Sequence, residues 1–229
     1  MNTRLMDRPD WFAPVQETVM EPERPIIDPH HHLWNVNGHR YLAEELLAEF
    51  TGGHNIRATV YLECHSKWFP NGPDVMKPVG ETVFVVEQAK RAAELQKDAE
   101  NPCNVAAGIV NHVDLTQGDA VQDALDAHIE AADGRFRGIR HAVGWDPDPK
   151  VHNSHTNPPA HQLSDGAFRR GLRHVVTRNL AYDVYHYFHQ FDEVIDLARA
   201  MPDATIVCNH LGGYLGVGPY AGKRAEIYA

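Results

Sequence analysis

The run Ile26-Ile27-Asp28-Pro29-His30-His31-His32-Leu33-Trp34 puts two histidines one residue apart, two positions behind a carboxylate. On an extended strand successive side chains alternate between faces, so Asp28, His30 and His32 share one side and His31 takes the other. Two imidazoles on one face can hold zinc, manganese or iron, and the carboxylate can orient or join them. The plainer reading is a solvated His-rich loop. Two isoleucines leading in and a tryptophan closing the motif favour a strand instead.

Other reactive residues recur at comparable places along the chain. Short β-branched or aromatic runs are expected as strands at Ile26–His30, Ile56–Leu62, Val105–Val110, Phe136–Ala142, Leu180–Tyr185 and Thr205–His210. Between them, apolar residues at helical spacing mark helices: Val79, Val83, Val86 and Ala93; Val121, Leu125, Ile129 and Ala132; Phe188, Phe191, Ile195 and Ala198. Asp165–Thr177 reads as a further helix and Leu42–Phe50 as a shorter one. Alternating strands and helices imply a parallel sheet with crossovers, as a (β/α) barrel or a doubly wound sheet.

The polar residues choose between these. Each expected strand ends in chemistry: His30 with His32, Glu63 with His65, Asn111 with His112, Arg140 with His141, Asp183 with Tyr185 and His186, and Asn209 with His210. Barrel active sites are built in this way, from the C-terminal ends of several strands. A doubly wound nucleotide binder would need a Gly-rich turn after its first strand, and this sequence has none there. Gly212-Gly213 reads as a tight turn. The expected fold is a TIM-like α/β barrel with about six of eight parallel strands, organised as an N-terminal arm over 1–24 and a barrel domain over 25–229.

The 229 residues are 43% hydrophobic, enough for one sizeable core. With 21 basic against 31 acidic residues, a net charge of −10, the chain lacks a nucleic-acid footprint, and no apolar run approaches a membrane span. Residues 1–24 do not read as a secretory signal. Cys64, Cys103 and Cys208 lack paired spacing, which suggests neither a disulfide framework nor a thiolate metal site and fits a cytoplasmic location. A small-molecule substrate is the expected partner.

The Asp28-x-His30-x-His32-x-Trp34 opening, Gly138-Ile139-Arg140-His141, Tyr182-Asp183-Val184, and Met201-Pro202 followed by Ile206-Val207-x-Asn209-His210-Leu211-Gly212-Gly213 together resemble the amidohydrolase superfamily. The branch is the amidohydrolase-related one that includes sugar-acid lactonases and 2-pyrone-4,6-dicarboxylate lactonase. The resemblance runs from about Ile26 to Ala229. It implies an eight-stranded barrel with a catalytic aspartate at the end of the last strand. Since the sequence stops in what reads as the helix after strand six, the expectation is a barrel truncated there, with self-association through the open edge as the other reading.

The implied reaction is hydrolysis of a lactone by water attack. His30, His32 and His210 would hold a divalent metal, zinc or manganese, or would hold the substrate carbonyl directly; members of this branch differ in needing a metal. The base implied by the resemblance is the absent aspartate. Arg140 offers a planar fork to a substrate carboxylate, favouring an anionic lactone, or else it forms a structural ion pair with Asp183 or Glu63. Glu63, His141, Asp183 and Tyr185 are the remaining substrate-binding candidates. His186 and His189 read as packing or pocket residues, and His152, His155 and His161 as solvated loop histidines. A decarboxylase of the same superfamily and a non-enzymatic remnant are the competing functions.

Overall fold

The computed structural model describes residues 17–36 and 38–227. The chain enters through β1 (Pro25–His31), makes a small antiparallel ribbon of β2 (Trp34–Val36) and β3 (His39–Tyr41), then continues through β4 (Asn55–Leu62), β5 (Asn104–Asn111), β6 (Phe136–Arg140), β7 (Ala181–Val184) and β8 (Thr205–Cys208). Helices lie between them: α1 (Ala43–Glu49), α2 (Val79–Leu95), α3 (Val121–Ala131), α4 (Gly166–Thr177) and α5 (Phe191–Ala200), with a last turn, α6 (Arg224–Ile227). Every pair in the main sheet is parallel and the order is β1-β4-β5-β6-β7-β8. The result is an incomplete TIM-like α/β barrel. Its curl is evident from the ends of its outer strands, since the rings of His30 on β1 and His210 just beyond β8 are 4.8 Å apart.

Burial follows position in the sheet. Val105, Ala106, Ile109 and Val110 of the internal strand β5 are all buried, as expected where a parallel sheet is covered on both faces. The outer strands differ: Ile27 of β1 is 64% exposed and Val207 of β8 is 42% exposed. On α4, Phe168, Leu172 and Val175 recur at i, i+4 and i+7 and turn into the core. Asp165 starts that helix, its carboxylate accepting the Phe168 amide at 2.8 Å.

The expected elements are present with ends moved by one or two residues, except that the helix expected to include Phe188 starts at Phe191, with Phe188–Gln190 forming a 3-10 turn before it. The β2–β3 ribbon is an addition, made of residues too few to show alternation. Of the N-terminal arm, residues 1–16 lie outside the described part, and 17–24 form neither helix nor strand. Among the described residues no helix is long and apolar enough to cross a membrane.

One buried polar chain crosses the core. Asn111 Nδ2 donates to Thr82 Oγ1 at 2.7 Å, and that hydroxyl reaches His128 Nδ1 at 2.8 Å. His128 is fully buried, stacks flat on Phe136, and leaves Nε2 without a partner among the described residues. Burial lowers its pKa to about 3. Burial also holds His31 down to about 4 and His141 to about 3. These groups stay neutral when folded and take up protons near 6.5 when unfolded, so the unfolded state binds more protons as pH falls below 6.5. Stability is therefore full above that value and declines beneath it. The urea midpoint should drop steadily from pH 7 to pH 4.5, and a flat profile over that window contradicts this account.

Candidate functional site

The pleat of β1 delivers its histidines as alternation requires. His30 and His32 meet edge-on with ring centroids 5.0 Å apart, and His210 closes on His30 from the far side of the curl. His31 points the other way, buried, with Nε2 2.8 Å from Thr59 Oγ1. His32 Nδ1 lies 2.8 Å from the Leu62 carbonyl; since that oxygen only accepts, Nδ1 carries the proton and Nε2 keeps a free lone pair. His30 Nε2 accepts from Arg140 Nη1 at 3.4 Å. Burial, joined by His32, Arg140 and His210, lowers the His30 pKa to about 3, and burial lowers that of His32 as well. His210 is exposed on left-handed backbone, with φ +52°.

Asp28 does not join this set as expected. Its Oδ1 accepts the His30 backbone amide at 3.1 Å, and its charge acts on His31 and not on His30 or His32. The pairing of β1 with β4 shifts register between Asp28 and His31, which accompanies this hydrogen bond.

Arg140 requires a second correction. Its Nε donates to Glu63 Oε1 at 2.7 Å and its Nη2 to the Glu63 carbonyl at 2.6 Å, in a position only 8% exposed. The fork expected to greet a substrate carboxylate is engaged by the protein itself, so the ion-pair alternative is the one the structure adopts. Burial works to raise the Glu63 carboxyl, but Arg140 and the neighbouring histidines outweigh it and hold it below its ordinary value.

The other candidates divide. His141 is buried, its Nδ1 accepting the Leu115 amide at 3.1 Å and its Nε2 lying 2.9 Å from the Gln162 amide group, so neither ring nitrogen is free. Asp183 accepts from Asn209 Nδ2 at 2.9 Å, and burial raises its pKa. Tyr185 stands beside His210 with ring centroids 5.7 Å apart, at the edge of the histidine set. His186 is packed against Phe191 and His189 is bound to Asp146 at 2.9 Å, in keeping with packing roles.

Two histidines were undervalued in the sequence. His155, expected to be solvated, comes in from the loop after β6 to place Nε2 3.6 Å from Glu63 Oε1, and His65 Nε2 lies 3.9 Å from Glu63 Oε2. The Glu63-x-His65 spacing after a strand was a signal for one of them; nothing in the Asn- and Pro-rich loop marked the other. Next to them opens a cavity of about 660 Å³, walled by His65, Trp68, His112 and His141 together with Asp74 and Asp114.

The loop that carries His65 and Trp68 is fastened by a buried glutamate. Glu81 on α2 accepts from Tyr61 Oη (2.7 Å), the amides of Cys64 (2.8 Å) and Ser66 (3.0 Å), and Trp68 Nε1 (2.9 Å). Burial pushes its carboxyl above the usual range while these donors pull the other way. Gly80 lets α2 approach, since a Cβ there would sit 2.5 Å from the Lys67 carbonyl.

A divalent metal at His30, His32 and His210 fits these residues poorly. The His32 tautomer would suit a ligand, because its other ring N–H is held by a carbonyl. His30 Nε2, however, already accepts from a guanidinium. Among the described residues, the His/Cys/Asp/Glu set whose donor atoms all fall within 4.8 Å of one another is Glu63, His65 and His155.

Parallel strands in sequential order, crossover helices and a polar centre at the strand C-termini define a TIM-like (β/α) barrel fold. Solved structures with this fold include an amidohydrolase from Burkholderia multivorans (18% identity, TM-score 0.52, 81% of this chain and 57% of that one) and a Pseudomonas putida protein provisionally named a 2-pyrone-4,6-dicarboxylic acid hydrolase (14% identity, TM-score 0.51, 82% and 57%). No protein-family model matches the chain. A curated relative, the uncharacterized protein y4mH of Sinorhizobium fredii, is 29% identical over 209 residues, covering 82% of this chain and 62% of its own length. The chain thus spans less than two thirds of each of these proteins.

Glu81→Gln sets an amide NH2 where a carboxylate accepted, leaving a buried donor facing a donor. It should cost about 1–3 kcal/mol in urea denaturation and shift the Trp68 signal in near-ultraviolet circular dichroism. An unchanged variant would remove Glu81 as the fastening point.

Proposed function

We propose that this chain supplies the carbonyl-binding part of a hydrolase that opens a lactone, a cyclic carboxylic ester, by attack of water at His30, His32 and His210. The observation that carries the reading is the meeting of these rings where the first and last strands of the sheet curl together. Neutral His32, with its proton committed to the Leu62 carbonyl, offers Nε2 to accept a hydrogen bond from the attacking water. His210, exposed beside it, can present an N–H to the carbonyl oxygen, and Arg140 Nη1, which reaches His30, is a further N–H donor for a developing oxyanion. His32 and His210 thus divide the work, where the sequence suggested that His30, His32 and His210 all polarise the carbonyl.

The likeness to amidohydrolases supports the fold on which this chemistry would sit. An anionic group on the lactone loses its main support, because Glu63 neutralises Arg140 and takes two of its donors. Hydrolysis in the cytoplasm, on a small-molecule substrate, remains the reading that the acidic charge balance and sparse cysteines favour.

The test is a panel of neutral and carboxylate-bearing lactones, with acid release as the readout. His210→Ala should lower kcat/KM by about a hundredfold or more on both, in the range seen when one oxyanion donor is removed. Arg140→Lys should reduce both equally, since it weakens the Glu63 clasp and the Nη1 contact to an oxyanion that both kinds of lactone develop; a loss confined to anionic lactones would restore Arg140 to binding the substrate's anionic group. With the His32 pKa lowered, kcat/KM should hold level from pH 8 down to about 6.5, the ordinary histidine value, and fall only on further acidification. Absence of lactone hydrolysis across the panel overturns the reading.

The open strand edges favour self-association. Ile27 and Val207 leave apolar surface on the two outer strands, each of which pairs with one strand only among the described residues. Light scattering on the purified 229-residue chain should give a mass above that of one chain, increasing with concentration. A monomer with a single sharp unfolding transition contradicts this.

A further inference from the structure

We propose that Glu63, His65 and His155 form a divalent-metal site, distinct from the His30, His32 and His210 set, that binds zinc or a similar borderline ion at the wall of the Trp68 and His112 cavity. Three observations lead there. The donor atoms of the three residues lie within 4.8 Å of one another, a spread that bonds of about 2.0–2.2 Å to a shared ion can close with small side-chain turns. The Glu63 side chain is fully buried and its Oε2 has no hydrogen-bond partner among the described residues, although Oε1 is taken by Arg140. A buried carboxylate oxygen without a partner is costly and uncommon, and this one has the His65 imidazole nitrogen 3.9 Å away.

The two histidines are placed for the task from separate segments. His65 leaves the end of β4 on left-handed backbone, with φ +62°, in the loop that Glu81 fastens. His155 arrives from the loop after β6, and the two rings stand edge-on with centroids 4.4 Å apart. Both are more than a third exposed, so an ion can reach them from solvent. Glu63 then bridges two cations: Oε1 stays with Arg140 and Oε2 turns to the metal. Two imidazoles and one carboxylate form a donor set that suits zinc and leaves a coordination position for water or a substrate oxygen. His65 is itself a wall residue of the 660 Å³ cavity, so that position would open where a small molecule can enter.

The metal site does not depend on the lactone reading, because its readout is binding. Full-length protein stripped with a chelator is titrated with zinc by calorimetry and with cobalt(II) by visible absorption, which reports imidazole and carboxylate ligation directly. One ion per chain is expected. His155→Ala and His65→Ala should each weaken zinc binding by at least tenfold and reduce the cobalt spectrum, while His32→Ala leaves both unchanged. Glu63→Gln risks unfolding through loss of the Arg140 clasp, so the exposed His155 variant carries the decision. Failure to bind either metal, full binding by both His65→Ala and His155→Ala, or loss of binding in His32→Ala overturns the proposal.

Discussion

The clasp between Glu63 and Arg140 is the constraint on which the site depends. Arg140 at the end of β6 holds both the side chain and the backbone carbonyl of Glu63 at the end of β4, and its remaining nitrogen reaches His30 on β1. Its own carbonyl lies 3.1 Å from His112 Nδ1, which follows β5. Four strand ends are thereby tied through one buried arginine, β4 and β1 to β6 by its guanidinium and β5 by its carbonyl. Buried ion pairs are weak evidence of net stability, because desolvation offsets much of the attraction. Removing one partner alone is a different matter, since it strands a charge in a dry interior. The clasp thus fixes where the strands end relative to one another more than it adds to their stability.

Much of the fold was legible because parallel β/α units leave strong periodic marks. Buried strands such as Asn104–Asn111 read as unbroken apolar runs, and helices such as Gly166–Thr177 repeat their apolar face at helical spacing. The face shared by His30 and His32 followed from the period-two pleat alone. The helix read over Asp165–Thr177 begins one residue later, at Gly166, with Asp165 as its cap.

What was not legible depended on loops and on competition between partners. Asp28 shared the right face by alternation but bonded its own neighbour's amide, a local option always open to aspartate. Arg140 had three partners in prospect, substrate, Asp183 and Glu63, and only the placement of the strand ends relative to one another decides among them. His155 sits among Asn and Pro residues that obey no period, so its return to Glu63 is a property of the folded loop and not of its sequence pattern.

The backbone at the site narrows its evolutionary future. His65, His210 and Leu211 all adopt left-handed conformations, with φ of +62°, +52° and +55°, and none is a glycine. In that region β-branched side chains collide with the main chain, whereas Asn, Asp, His and Gly are admitted more readily. Neutral drift at these three positions is accordingly confined to a short alphabet. A lineage that abandoned the chemistry would be expected to fill His65 and His210 with asparagine or glycine before valine or isoleucine, leaving a record of the lost site in the residues that replaced it.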